Sequence, residues 1–358
     1  MGEDRDMPPA RPTTHSLAMG PHPTEELPRA TGAPAMNDAP TLSVGLPHAE
    51  GLPSAAEWER LERGVAQRVR ALDAFLSDVY GDTADARVLA DGVLPRRLVT
   101  TSARFRREAV GISQPVRVVV ASVDVVRDEH GTFRAIADDL SCPAWPAHVA
   151  PHLLRALRAV TRVADPVVLA LAPSHSALAR QPGVTTVAGR GLVCRENTVY
   201  HDNRRVDVLY RTVADDLLDP LHFQPDSAHG VSGLLNAARA GSVTLANAAG
   251  NGLGEDPLIH RFVPRLVEYY LGEHPILPVV DKETVHTTHF LPVNAAHQRF
   301  PDLSTAPSTA DMSPVSLRLF AVNDGVSVTV LSDAVGITDL STSNIPQRGS
   351  TVETTVLW

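Results

Sequence analysis

The fold is decided by residues 206–277. The stretch opens VDVLYRTVADDLLDPLHF (206–223), continues as RAGSVTLANAAGNG (239–252) and ends LIHRFVPRLVEYYLGEHPIL (258–277). A strand and an acidic turn are thus followed by a Gly/Asn-rich loop that leads into a helix. The first N–H groups of a helix lack partners within the helix, so such a loop can hold an anion or a phosphate. The pattern predicts a ligand crevice beside Asn247, Gly250 and Gly252.

A dinucleotide-binding loop is the alternative interpretation of the same glycines. That motif requires a strand before the glycines and a surrounding βαβ unit. The residues before Gly250 read as helical or irregular, and we expect no βαβ unit around them. We therefore interpret 250–254 as tight turns that precede a helix.

Composition bounds the function. The chain has 358 residues, a net charge of −9 and 43% apolar residues, as in ordinary globular proteins. The negative charge, without a basic stripe, argues against nucleic-acid binding, and no apolar run is long enough to span a membrane. Cys142 and Cys194 lack metal-ligand spacing, so we expect two thiols in a reduced cytoplasm.

The N-terminal part of the chain divides into a tail and a helical region. Residues 1–40 are rich in Pro, Thr, Ala and Gly, and we expect them to be disordered. Ser54 and Glu57 form a capping-box pattern, and apolar residues at helical spacing then continue to about Tyr80. A second helix is predicted over 95–110.

A β-hairpin with three carboxylates follows. Its strands are VRVVVASVDVVRD (116–128) and TFRAIADDLS (132–141), and it carries Asp124, Asp138 and Asp139. Carboxylates on adjacent antiparallel strands can share one divalent cation, with Mg²⁺ the usual ion near phosphates. Alternatively, the acids flank a turn and face solvent. Both interpretations stay open from spacing alone.

The rest of the chain predicts an α/β unit and a terminal hairpin. Buried strands separated by helical segments between about 150 and 280 indicate a small α/β domain. The turn Asn323-Asp324-Gly325 joins two further strands. The overall class is α+β.

Five segments together resemble one family, the circularly permuted ATP-grasp proteins of the type 2 group found mostly in bacteria. The segments are EWERLERGVAQRVRALDAFLSDVYG (57–81), VDVVRDEHG (123–131), VDVLYRTVADDLLDPL (206–221), RAGSVTLANAAGNG (239–252) and VEYYLGEHPIL (267–277). The resemblance extends over nearly all of the chain from about Pro40 to Trp358.

The resemblance implies a circularly permuted ATP-grasp fold with a small α/β domain, which binds ATP and Mg²⁺. It divides the chain into a tail (1–40), a permuted lobe with the acidic hairpin (41–150), the α/β domain (151–280) and a shortened remainder (281–358). The implied activity is ATP-dependent carboxylate–amine ligation. Arg211 and Arg318 match positions with catalytic roles, Arg239 joins the cofactor residues named above, and Asp124, Asp138 and Asp139 lie at the metal positions.

The sequence departs from the family at these positions. The metal-binding Glu of the family is Ala137 here, its Asn is Asp139, and its Arg is Ser141, although Asp124 and Arg127 match. A family Lys is replaced in the run Glu255-Asp256-Pro257, and most of a longer segment is missing between about 278 and 303.

Several charged contacts to phosphate are therefore expected to be lost, and each is typically worth about 10²–10³ in rate. The sequence favours a catalytically degenerate homologue that acts as a binding or scaffold protein, with an active paralogue or a pathway enzyme as its partner. The alternatives are an active ligase that uses arginines for phosphate, and a small-ligand binder at the Asn247–Gly250 crevice.

Overall fold

The computed structural model describes residues 53–81, 86–128, 130–143, 150–172, 183–280 and 315–339. Within these ranges the helices are α1 Ala55–Val79, α2 Arg87–Ala90, α3 Arg96–Thr100, α4 Ala150–Ala159, α5 Asp215–Leu218, α6 Leu234–Arg239, α7 Pro257–His260 and α8 Val263–Leu271. The strands are β1 Val120–Arg127, β2 Phe133–Asp139, β3 Val168–Leu171, β4 Thr186–Val187, β5 Val193–Arg195, β6 Thr198–His201, β7 Arg204–Arg205, β8 Val208–Arg211, β9 Thr244–Ala246, β10 Val315–Asn323 and β11 Val328–Asp339. Mixed helix and sheet confirms the predicted α+β class.

Helix α1 begins where the capping box predicts. The Glu57 amide donates to Ser54 Oγ at 3.4 Å, and the Ser54 amide donates to Glu57 Oε2 at 2.8 Å. These bonds satisfy N–H groups that would otherwise lack partners at the helix start. The apolar stripe of α1 is buried against the first sheet and α8, with Leu72 and Phe75 fully inaccessible to solvent.

The first sheet is antiparallel, with the strand order β11-β10-β1-β2. One face of β1 packs with α1, since Ala121, Val123 and Val125 belong to the same core as the helix. The opposite face packs with α4 and the second sheet through Val120 and Phe320. The hairpin of β1 and β2 confirms the predicted pair of strands.

The second sheet is parallel, with the order β4-β3-β8-β9. It lies within the predicted α/β region, and a small antiparallel sheet, β5-β6-β7, adjoins it in sequence. Strand β9 was not predicted. Only three residues separate it from Gly250, so the expectation that the glycine loop follows a helical or irregular segment is wrong. The expectation of no βαβ unit is wrong too, because β8 and β9 are parallel and joined through α5 and α6.

The two large sheets are joined by the side chain of Asn247. Its Oδ1 accepts from the amides of Val119 and Val120 at 2.8 and 2.9 Å, and its Nδ2 donates to the carbonyls of Val120 and Leu140 at 2.7 Å each. The residue is fully buried, and the Ala246–Asn247 peptide bond is cis. All four hydrogen-bonding positions of the amide are therefore used within the protein.

The helix predicted over 95–110 is instead three shorter pieces. Helix α3 ends at Thr100, a turn follows, and a single 3₁₀ turn covers Arg107–Ala109. The Thr101 hydroxyl donates to the Arg97 carbonyl at 2.7 Å, and Ser102 Oγ accepts from the Arg104 amide at 3.1 Å. Such local side-chain bonds compete with continuation of the helix.

Among the helices that the structure describes, none combines the length and the apolar character that a membrane span requires.

Candidate functional site

The three hairpin carboxylates lie on two different faces of the first sheet. Asp124 is directly opposite Ala137, and Ser122 is opposite Asp139, so Asp124, Ala137 and Asp139 share the face towards the second sheet. Asp138 lies between Ala137 and Asp139 on β2 and points to the other face. The structure therefore does not bring all three acids together as one cation site would require.

Asp138 is buried in an ion-paired cluster beneath α1. Arg68 Nε and Nη2 donate to its two oxygens at 2.5 and 2.7 Å, and His260 Nδ1 lies 3.0 Å from Oδ2. Burial alone would raise the pKa of Asp138, but the charges and hydrogen bonds of Arg68 and His260 outweigh it and hold the pKa well below its usual range. Asp138 therefore serves the packing of α1 on the sheet.

Asp124 forms a two-bond ion pair with Arg318 on the neighbouring strand β10. Arg318 Nε donates to Oδ1 at 2.7 Å and Nη2 donates to Oδ2 at 2.8 Å. Both residues are only 8% exposed. The hydrogen bond to Asp124 raises the pKa of Arg318 above its ordinary value, so the guanidinium is a fixed positive charge on this face.

Asp139 lies beside Glu255, and this carboxylate pair shares a backbone donor. The Ser141 amide lies 2.8 Å from Glu255 Oε1 and 3.3 Å from Asp139 Oδ1. Glu255 also accepts from the Leu140 amide at 3.0 Å and from Arg104 at 2.8 Å. Burial and then the nearby negative charge of Glu255 raise the pKa of Asp139 to about 7.

The donor set does not fit the Mg²⁺ site of a phosphoryl-transfer enzyme. Among the residues that the structure describes, no three His, Cys, Asp or Glu side chains are grouped so that they could hold a metal ion. Ala137 lies directly opposite Asp124 and offers a methyl group instead of a ligand, and the oxygens of Asp124 are both occupied by Arg318. A hexacoordinate ion would have to displace that guanidinium.

Arg211 is a buried organiser of the loop after β9. Its Nε donates to the Asn247 carbonyl at 2.7 Å, Nη2 to the Ala248 carbonyl at 2.9 Å and Nη1 to the Val213 carbonyl at 2.7 Å. Nη2 is also 2.8 Å from Asp215 Oδ1. The side chain is fully buried and donates to the protein on every side, so it does not face a substrate position.

The glycine loop uses its own backbone groups internally. The Gly250 amide donates to Asp215 Oδ2 at 3.1 Å, and the Ala248 amide donates to the Arg117 carbonyl at 2.9 Å. Gly250 has φ +87°, and a Cβ there would lie 2.5 Å from the Tyr80 ring. The glycine is therefore required by conformation and by close packing on an aromatic ring, and these two amides do not await a phosphate.

The remaining predicted cofactor residues lie apart from each other. A Cβ on Gly252 would be 3.4 Å from Ser141 Oγ, so this glycine adjoins the Asp139–Glu255 pair. Arg239 lies at the surface, where its Nη2 donates to the Glu108 carbonyl at 2.6 Å. Pro257 starts α7, with Asp256 as its N-cap, so the residue at the family's Lys position has a structural use.

The residues of this site belong to a region with known relatives. A family model described as a circularly permuted ATPgrasp matches residues 52–150 and 145–290 of the chain. The chain belongs to the circularly permuted ATP-grasp family. The matched residues include α1, the acidic hairpin, the parallel sheet and the glycine loop.

Three curated bacterial proteins with sequences similar to this ATP-grasp chain show the extent of the match. An uncharacterised protein of Mycobacterium leprae is 40% identical, over 78% of this chain and 65% of its own length. An uncharacterised protein of Mycobacterium tuberculosis is 47% identical, over 64% of this chain and 48% of its own length. A Frankia alni protein named "Putative glutamate--cysteine ligase 2-3" is 34% identical, over 63% of this chain and 30% of its own length.

The chain thus spans about half to two thirds of the mycobacterial relatives that it matches. The alignment with the Mycobacterium leprae protein covers 368 positions, which exceeds the 358 residues of this chain. The aligned region therefore contains positions that the relative fills and this chain leaves empty. The sequence predicts such missing positions between about 278 and 303, and residues 281–314 lie outside the described ranges.

Three residues of this site were not predicted from the sequence. Arg68 holds Asp138, His260 completes that cluster, and Glu255 is the neighbour of Asp139. One signal was available for Arg68, because it occupies the buried stripe of α1 between Val65 and Leu72. A charged residue on such a stripe requires a buried partner.

Proposed function

We propose that this ATP-grasp homologue is catalytically degenerate and acts as a binding or scaffold protein. One observation carries the proposal: on the face where the family places its metal, the carboxylate of Asp124 is neutralised by Arg318, and Ala137 supplies no ligand. Phosphoryl transfer depends on cations placed against the phosphates and on acids that hold those cations. Without that arrangement the acyl phosphate step has no support from this hairpin.

Arg211 and Gly250, which match catalytic and cofactor positions of the family, also support a loss of catalysis. Arg211 donates to main-chain carbonyls on all sides, and Gly250 is held by Asp215 and by the Tyr80 ring. These residues maintain the fold whether or not a nucleotide binds. The same residues can therefore persist after catalysis is lost.

A titration with ATP and Mg²⁺ tests the proposal. We expect no heat of binding by isothermal calorimetry at concentrations up to about 1 mM, the upper range of enzyme Michaelis constants. We also expect no phosphate release above that of a boiled control. Mg²⁺-dependent ATP hydrolysis that disappears in Asp124→Ala would refute degeneracy, and Asp124→Asn provides a second variant that keeps the side-chain volume.

ATP-dependent carboxylate–amine ligation is the second candidate function. It is favoured by the similarity to two Frankia proteins named "Putative glutamate--cysteine ligase" and by the buried cation Arg318, since arginine can neutralise phosphate as lysine does. Saturable ATP binding that is lost in Arg318→Gln, together with ADP release that depends on an added amino acid, would establish this function instead.

A scaffold role requires a protein partner. We propose an active ATP-grasp paralogue or another enzyme of the same pathway. Purified paralogue and this chain, mixed at equal concentration, are expected to elute together in size-exclusion chromatography. Separate elution of this chain from each candidate enzyme would oppose the partner that was tested.

A further inference from the structure

The thiol of Cys142 lies beside a buried arginine at the carboxyl end of strand β8. Its Sγ donates to the carbonyl of Val213 at 3.4 Å and accepts from Arg211 Nη1 at 3.6 Å. The amide of Cys142 donates to Asp139 Oδ1 at 3.2 Å, which holds the turn after β2 in place. Cys142 is partly exposed, whereas Arg211 is fully buried. A residue that solvent reaches thus holds its sulfur against a buried guanidinium.

Tyr210, also on β8, has a hydroxyl group with no hydrogen-bond partner among the described residues. The residue is only 1% exposed. Its neighbours in the parallel sheet are Ala170 on β3 and Ala246 on β9, whose methyl groups offer no acceptor. A buried hydroxyl without a partner is unfavourable unless a water molecule or a bound group satisfies it. The Tyr210 hydroxyl is therefore a donor available to a group beside it.

The sulfur of Cys142 acts electrostatically on both of these neighbours. Burial and then the charge of Cys142 raise the pKa of Tyr210, and Cys142 acts on it more strongly than Asp139 does. Burial lowers the pKa of Arg211, but the charges of Asp215 and then Cys142 raise it above its ordinary value. Charge interactions weaken with distance, so the hydroxyl and the guanidinium lie close to the same sulfur.

Oxidation of a thiol by a peroxide adds one oxygen atom to the sulfur. The sulfur attacks one peroxide oxygen, so an S–O bond forms, the O–O bond breaks and the sulfur gives up two electrons. The departing oxygen takes the thiol proton and leaves as water or as an alcohol. The product is a sulfenic acid, whose oxygen can accept hydrogen bonds. A site with two donors beside the sulfur suits this product.

We propose that Cys142 is a modification site, at which a hydroperoxide oxidises the thiol to a sulfenic acid whose oxygen is bound by Tyr210 and Arg211. The alternative is a structural thiol, because cysteine often serves as a small apolar side chain. The hydroxyl of Tyr210 favours the modification site, since a purely structural Cys142 leaves that hydroxyl unsatisfied. The inference goes beyond the proposed function and holds whether or not ATP binds.

Cys194 provides an internal control in the same molecule. It is also partly exposed, and burial followed by the charge of Asp219 raises the pKa of its thiol to about 11. The reactive thiolate of such a residue is scarce at neutral pH. Both sulfurs meet the same reagent in the same sample, so a difference between their rates reflects their surroundings.

The first experiment treats the wild-type protein with hydrogen peroxide at neutral pH. Samples are quenched with iodoacetamide at successive times, and peptide mass spectrometry measures the remaining thiol at each cysteine. Dimedone, which reacts with sulfenic acids, identifies the product. We expect Cys142 to lose its thiol at least about tenfold faster than Cys194, and we expect the dimedone adduct at Cys142.

Tyr210→Phe tests the role of the hydroxyl. The change removes one oxygen atom that has no partner, so the fold should be retained, as circular dichroism checks. We expect Cys142 to react with peroxide about tenfold more slowly, the effect of losing one hydrogen bond to a charged group. Alkylation by iodoacetamide adds no oxygen to the sulfur, so its rate at Cys142 should stay the same. The control Tyr200→Phe, which removes a hydroxyl on β6, should leave both rates unchanged.

Several results would overturn the proposal. Cys142 could be oxidised no faster than Cys194, or could give no dimedone adduct. Tyr210→Phe could keep the wild-type rate with peroxide, or could slow peroxide and iodoacetamide equally, which would indicate changed access to the sulfur. If Tyr210→Phe does not fold, the comparison of the two cysteines in the wild-type protein still tests the assignment of Cys142. No nucleotide is present in these measurements, so their outcome is separate from the calorimetry above.

Discussion

Replacing Arg318 by leucine tests whether this guanidinium is the resident cation of the acidic hairpin. The change leaves the carboxylate of Asp124 in a nearly buried position without its cation, with the methyl group of Ala137 opposite it. We expect the protein to be strongly destabilised at neutral pH.

The size of the effect follows from burial and geometry. Breaking a buried ion pair by removal of one partner typically costs about 3–5 kcal/mol, because an uncompensated charge remains. The side chains of Arg318 and Asp124 are 10% and 11% exposed, which places the cost near the lower end, at about 3 kcal/mol. The double variant Asp124→Leu/Arg318→Leu strands no charge, so we expect it to lie within about 1 kcal/mol of the wild type.

Urea denaturation followed by far-ultraviolet circular dichroism measures these values. The midpoint should fall in Arg318→Leu, recover in the double variant and leave the denaturant slope unchanged. A cost below about 1 kcal/mol for Arg318→Leu would refute the reasoning, since it would mean that water already solvates Asp124. A double variant as unstable as the sum of the single variants would refute it too, because the two side chains would then act independently.

Two further predictions concern local features. Gly250→Ala should lower the free energy of unfolding by about 2–3 kcal/mol, because the added Cβ would meet the Tyr80 ring at 2.5 Å. The control Gly272→Ala is also at positive φ, but no atom lies within 4 Å of the added Cβ, so it should lower the free energy by about 1 kcal/mol. Equal midpoints of the two variants in urea would contradict the role of Tyr80. The hydrogen bond from Arg127 lowers the pKa of Glu57 from 4.5 to about 2, so its contribution to stability is complete above pH 4.5 and is lost as the pH falls towards 2. The melting temperature of Glu57→Gln should therefore lie below that of the wild type at pH above 4.5 and approach it on acidification, and a constant difference across that range would refute the assignment.

Local signals in the sequence were sufficient for the elements that depend on near neighbours. The capping box of Ser54 and Glu57 starts α1, and the turn at Asn323 joins β10 to β11. In each case the deciding contacts join residues within a few positions, so spacing alone contains them. The prediction of one helix over 95–110 was wrong because the side chains of Thr101 and Ser102 form hydrogen bonds with nearby backbone groups. The pattern of apolar residues does not reveal such bonds.

Strand β9 could not be predicted because its three residues are too few to show a period. It is stabilised from a distance: the side-chain amide of Gln114 accepts from the Leu245 amide and donates to the Leu245 carbonyl, at 2.9 Å each. One amide side chain thus occupies the outer edge of the strand as a neighbouring strand would. A contact between positions so far apart in sequence leaves no local pattern.

The arrangement of the candidate site could be predicted from the sequence only in part. Alternation along a strand already places Asp138 and Asp139 on opposite faces, so the sequence contained the argument against one site for all three acids. The partners of these acids could not be predicted, because they are distant in sequence. Arg68 is 70 positions from Asp138. Glu255, the neighbour of Asp139, is 115 positions from Leu140, which follows Asp139 directly. Whether a carboxylate is free for a metal depends on such distant partners.

The Asn247 side chain determines which part of the protein unfolds last at acidic pH. Arg68 and His260 hold the pKa of Asp138 well below its usual range, so the Asp138–Arg68 ion pair weakens only at strongly acidic pH, when this carboxylate is protonated. A carboxamide does not titrate in that range, so its four hydrogen bonds keep their strength. Strong acid should therefore loosen α1 before the two sheets separate, and the amides of Val119 and Val120 should be among the last to exchange with solvent.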